Sequence, residues 1–271
     1  MKFLFSTFVV FLILLQSCKK ENGGNDPIPP PIVKSQLDVQ FENRVGNDPL
    51  YLNLQDYTSI VYSETFKVTS LRYYVSNFSV TNMGDTVYTI PQDSSYFLID
   101  QSDFNTWVAH FKVPVGDYKT LRFMVGVDSA RTLMPIGSRT GVLDPASGAS
   151  GMYWGADSGY VFFNFEGTST ASTEPGQVFK YNVGGYGGVG PPVLNNLKEI
   201  VLDLTDRGIA KVRTGAKSNL HLMVDVGRVF DNPGLPISIA ANPVVGFEVF
   251  SSNVSNNYST MFRHDHTENS P

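Results

Sequence analysis

Along most of this chain, apolar residues recur at every second position, and that period leaves few folds open. Leu37, Val39 and Phe41 share one face of "LDVQF". Leu121, Phe123, Val125 and Val127 do so in "LRFMVGV", and Leu220, Leu222, Val224 and Val226 in "NLHLMVDV". Alternation over so few residues marks half-buried strands, because successive side chains leave a strand on opposite faces. The further segments "FKVTSLRYYVSNFSV", "TVYTI", "SYFLI", "YVFFNFE", "QVFKYNV", "EIVLDL" and "IAKVR" are separated by "NMGD", "VPVGD" and "TEPGQ", which supply turn residues. The spacing predicts an all-β fold, an antiparallel β-sandwich of roughly ten strands. Two short helices are expected, one within 101–111 and one over 253–262. No segment repeats at a fixed period, which disfavours solenoids and propellers.

The start of the chain has a different character. "MKFLFSTFVVFLILLQSCKK" carries one early cation, Lys2, and then an apolar run from Phe3 to Leu15. This is the pattern of a secretory signal, and the run falls short of the roughly 20 residues a spanning helix needs. Cys18, the only cysteine, follows "LLQS" in the manner of a bacterial lipobox. Residues 1–17 are therefore expected to be a lipoprotein signal peptide. Residues 18–36 are expected to be a lipidated cysteine followed by a Pro- and Gly-rich tether, and 37–271 a single β domain. The predicted location is the cell envelope, periplasmic or at the outer-membrane surface, with Cys18 holding the chain to a membrane.

With Cys18 consumed, neither a disulfide nor a thiolate site can form. The net charge of -5 and the lack of a basic run argue against nucleic acid as a partner. Hydrolase and nucleotide motifs are missing: there is no G-x-S-x-G, H-E-x-x-H or P-loop. The glycine-rich "GGYGGVG" at 184–190 runs into two prolines and suits a surface loop rather than a phosphate cradle. The expectation is a binding protein, not an enzyme.

Metal ligation is then left to His, Met, Asp and Glu. The histidines are His110, His221, His264 and His266. In an extended tail, His264 and His266 point to one side and Asp265 to the other, a spacing that suits a single ion. Solvated polarity at a terminus explains the same pattern equally simply. His221 fits a satisfied polar position on its strand, and His110, in "WVAHF", fits packing against aromatics.

Several stretches taken together resemble one family. "LRYYVSNFSV", "YFLID", "VPVGDYKTLRFMVGVDSARTL", "GVLDPASGASGMYWGADSGYVFFNFEG", "FKYNVGGYGG" and "MFRHDH" are similar, in this order and spacing, to the MbnP-like copper-binding proteins. These are periplasmic or lipid-anchored bacterial β-proteins, many from Bacteroidetes. The resemblance implies a copper site built from histidines, and a redox partner resembling a dihaem peroxidase that oxidises a tryptophan near that site. Position by position, this chain departs from the pattern. Asn43 and Asn182 stand where the family often has histidine, Ala156 where it often has a second tryptophan, and Glu268 at the second histidine of the tail. The resemblance thus implies a site at His266, His264 and Glu268, close to Trp154 and Asn182, with Met152 or Met261 as soft ligands. Trp154 taken alone fits rim packing as well as a redox role. Because an amide oxygen is a poor substitute for imidazole in binding Cu(I), the altered positions also leave open a second function. That alternative is a metal-free cell-surface module binding a protein or glycan through Tyr186 and neighbouring loops.

Overall fold

A computed structural model of the protein describes residues 31–188 and 193–270. The expected signal peptide, Cys18 and most of the tether lie outside the described residues. The last tether positions, Lys34–Gln36, already belong to the first strand, Lys34–Val45. Strands dominate, and they form two sheets with one shared interior.

The smaller sheet has the tail strand Phe262–Asn269 at its edge, then Ser218–Asp225, then Lys34–Val45, with Val108–Pro114 and Asp48–Pro49 beyond. The larger sheet is organised on the long strand Thr65–Asn82. This strand pairs with Gly159–Ser169, Gly116–Val125 and Tyr96–Asp100 along different parts of its length. All-β architecture is as expected, but one central pairing is not antiparallel. Leu37–Arg44 runs parallel to Ser218–Asp225. These segments are joined through most strands of the larger sheet rather than by a hairpin, so no tight turn dictates an antiparallel sense.

The alternation identified in the sequence is the burial pattern. Leu37, Val39 and Phe41 are buried together with Leu121, Phe123 and Val125 and with Leu220, Leu222 and Val224. Aromatic rings lock the two sheets: Phe123 meets Phe41 at 5.8 Å and Phe262 at 5.2 Å between centroids, both edge to face. A second cluster, with Tyr74, Met152, Tyr160 and Phe162, packs separately. Gly167 marks a close approach of strands, since a Cβ there would lie 2.0 Å from the carbonyl oxygen of Lys67.

Local expectations are corrected in several places. No α-helix forms in 101–111, where there is a single 3-10 turn, Phe104–Thr106, capped by Asp103 through the amide of Asn105. Val108, Ala109 and His110 then enter a strand, as β-branched and alternating residues favour. The later helix spans Ser251–Tyr258 and ends where the tail strand needs Phe262 in the core. Tyr186, proposed above as a contact residue, is buried, as are Met152 and Met261, which serve as core side chains.

Replacing Phe123 with alanine is expected to cost roughly 3–5 kcal/mol, the range for a large aromatic lost from a core. Gly167→Ala should also destabilise, whereas Gly137→Ala, with nothing within 4 Å of its Cβ, should not. Urea unfolding of the three variants measures both contrasts.

Candidate metal centre

The tail does not fray. Seven of its residues pair with Ser218–Val224, and its free edge is tied to the preceding loop. Asn269 donates from Nδ2 to the carbonyl of Ile209 at 3.1 Å and accepts at Oδ1 from the amide of Lys211 at 2.8 Å. The Thr267 hydroxyl donates to the carbonyl of Gly208.

The pairing contains one irregularity, and it decides the site. Leu222 is opposite His264, but His221 is opposite His266, so Asp265 is an extra residue in the ladder. Such a bulge shifts the alternation by one and exchanges the faces of the residues beyond it. His264 is therefore buried on the side of Leu222, while His266 lies on the outer face beside His221. The expectation that His264 and His266 share a side is corrected by this geometry.

His264 is a structural residue. Its Nε2 meets the Thr267 hydroxyl at 2.9 Å, and it must be the donor there, since that hydroxyl's own proton goes to Gly208. Nδ1 is buried with no hydrogen-bond partner. Burial holds the imidazole below its ordinary pKa.

On the outer face, His221, His266 and Glu268 each present one ligand atom within 4.8 Å of the others. The two imidazoles stack at 4.2 Å between centroids with their planes 12° apart. Each is oriented through Nδ1 by a carboxylate: Glu42 Oε1 is 3.0 Å from His221 Nδ1, and Asp265 Oδ2 is 2.9 Å from His266 Nδ1. The hydrogen bond with His266 in turn holds the Asp265 carboxyl below the usual carboxylate range. Each Nε2 faces Glu268, at 3.3 Å for His221 and 3.8 Å for His266. Asn219 stands next to this group. Its Nδ2 donates to His221 Nε2 at 2.9 Å and to Gln40 Oε1 at 3.0 Å, while its Oδ1 is buried without a partner.

Among residues singled out from sequence, His266 and Glu268 thus come together, with His221 in the place expected for His264. Period two in "NLHLMVDV" already put Asn219 and His221 opposite the apolar face. It carried no information on which strand would lie alongside. Asn43 is on the core side, where it donates to Gln101 Oε1 and accepts from the Tyr73 hydroxyl, both at 2.8 Å. Asn182 belongs to the larger sheet and forms a network with Asn164 and Glu166. Trp154 is 39% exposed and packs edge-on against Phe247, close to Gly184. Ala156 is exposed in the turn that follows. The tail therefore does not meet Trp154 or Asn182 in one site, because the two groups belong to different sheets. His110 is also corrected: it is exposed and bonded to Asp38 at 2.8 Å rather than packed among aromatics.

Two larger clefts among the described residues lie elsewhere. One, of about 710 Å³, is bordered by Asp225 and Asp231, whose carboxylates accept from the backbone amides of Gly46, Gly227, Ile60 and Val61. The other, of about 650 Å³, includes Arg139, which donates to the carbonyls of Thr132 and Met134. In both, the charged groups named are occupied in shaping loops.

A family model for MbnP matches residues 34–249. The fold is similar to that of MbnP from Methylosinus trichosporium, with a TM-score of 0.52 and 16% identity over 80% of this chain and 82% of the other. No curated protein matches the sequence significantly. The chain belongs to the MbnP family. The matched span includes His221 and ends before His266 and Glu268.

Asn43→Ala is expected to destabilise the protein by about 1–3 kcal/mol, because the buried Tyr73 hydroxyl and the half-buried Gln101 amide lose their partner. Asn182→Ala, at a half-buried site on the other sheet, should cost less. Chemical denaturation of the two variants makes the comparison.

Proposed function

We propose that this protein is a metal-binding protein of the cell envelope, held at a membrane surface through Cys18. It takes up copper or a related transition ion at His221, His266 and Glu268, and acts by binding rather than by catalysis. One observation carries the reading: both imidazoles are held at Nδ1 by a carboxylate while both Nε2 atoms face a third ligand. Metal-bound histidines are oriented in this way, with the second ring nitrogen donating to a carboxylate.

The residues present fit such an ion. Two atoms bound to one ion at about 2.0–2.1 Å lie at most about 4.2 Å apart, so a cluster within 4.8 Å needs only small side-chain movements. His266 and Glu268 are exposed enough to make them. Binding would need the His266 ring to tilt out of its stack on His221 and Glu268 to close over both nitrogens. Membership of the MbnP family supports copper as the cargo. A haem-containing redox partner of peroxidase type would meet the exposed indole of Trp154, which lies on the other sheet.

The second reading, a surface module that binds a protein or glycan without metal, draws on a different feature. Tyr51, Leu54, Ile60, Val61 and Tyr62 are all exposed, and apolar side chains gathered in one segment mark a contact surface. Buried Tyr186 has no part in it.

Incubation with copper followed by dialysis should leave one equivalent on the full chain. His221→Ala and His266→Ala should each remove it, while His264→Ala should retain it. Retention of copper by both of the first two variants would sink the assignment.

A further inference from the structure

The donor set at this site carries a consequence for the ion it selects. We infer that the site prefers a divalent first-row ion, copper(II) before zinc(II), and holds copper(I) more weakly than either. This rests on the metal-binding reading above and narrows it to an oxidation state.

The ligands are two imidazole nitrogens and a carboxylate oxygen. Imidazole serves either oxidation state, but carboxylate is a hard donor that favours the divalent ion, whereas copper(I) seeks thiolate or thioether sulfur. The local oxygen supply goes further. Asn219 Oδ1 is buried with no partner, and the Nδ2 of the same amide lies 2.9 Å from His221 Nε2. Turning that amide over exchanges the two atoms, bringing a further oxygen to the edge of the site and removing a donor that competes with the ion for Nε2.

Sulfur is present on the same face but is not available. Met223 follows His221 by two positions on its strand and shares its outer face. Its Sδ is approached by Arg44 Nη1 at 2.8 Å and by Arg263 Nη2 at 2.6 Å. Two guanidinium groups at the sulfur oppose a cation arriving there. Met152 and Met261 are buried in the interior. None of these three sulfurs is therefore free to join His221 and His266, and Glu268 is the residue that sets the preference.

Glu42 has a separate role as a positioning residue. It holds His221 in the tautomer with hydrogen on Nδ1, leaving Nε2 as the ligand atom. Its loss should lower affinity without changing which ion is preferred.

The test is competition titration of the full chain with copper(II) in air and with copper(I) under anaerobic reducing conditions, using chromophoric chelators of known affinity. Copper(II) should bind at one equivalent, more tightly than zinc(II), with an electron paramagnetic resonance spectrum showing two nitrogen donors, and copper(I) should bind more weakly. Glu42→Gln should weaken copper(II) by roughly 10–100-fold, the effect typical of a lost outer-shell partner, with the same order of preference. Glu268→His should raise copper(I) affinity relative to copper(II). Copper(I) binding as tightly as copper(II) in the unaltered protein overturns this inference and leaves the metal-binding reading standing. Failure of both oxidation states and of zinc(II) to bind overturns the metal-binding reading itself.

Discussion

The parallel ladder between Lys34–Val45 and Ser218–Asp225 is the constraint on which the rest depends. Its inner side contributes Leu37, Val39, Phe41, Leu220, Leu222 and Val224 to the interior, all fully buried. Its outer side places Gln40 and Glu42 beside Asn219 and His221. One pairing thus supplies hydrophobic closure on one face and an oriented imidazole on the other. Because side chains alternate strictly, neither face can be shifted without moving the other.

The bulge at Asp265 sets the other half of the cluster. Without the extra residue, His264 and His266 would lie on the same face, as their spacing in the sequence implies. With it, one becomes a buried structural histidine and the other stacks on His221. Bulges often re-aim a side chain next to a functional site. Here the bulged residue has a second use, because its own carboxylate orients the histidine that it displaces.

Membership of the MbnP family explains the overall fold but not the arrangement of these side chains. Asn43, read from the family pattern as a lost ligand, is a buried bridge between Tyr73 and Gln101. Asn182 completes a polar network on the larger sheet. His266 and Glu268 come from a strand beyond the span that the family model matches. The cluster is formed by the tail and the strand it pairs with.

The all-β class, the phase of each major strand and most of the core are legible in the sequence, because alternation is a local property that needs no knowledge of neighbours. Val39, Phe123 and Leu222 were assigned to the interior from spacing alone, and they are there. The family resemblance also singles out His266 and Glu268, together with His264, in the tail. That His221 completes the group, that Glu42 and Asp265 orient it, and that His264 turns inward depends on how the strands pair. Strand order and a one-residue bulge arise from pairing between segments distant in the chain, Lys34–Val45 with Ser218–Asp225 and that strand with Phe262–Asn269, and no local pattern in the chain encodes which edges will meet.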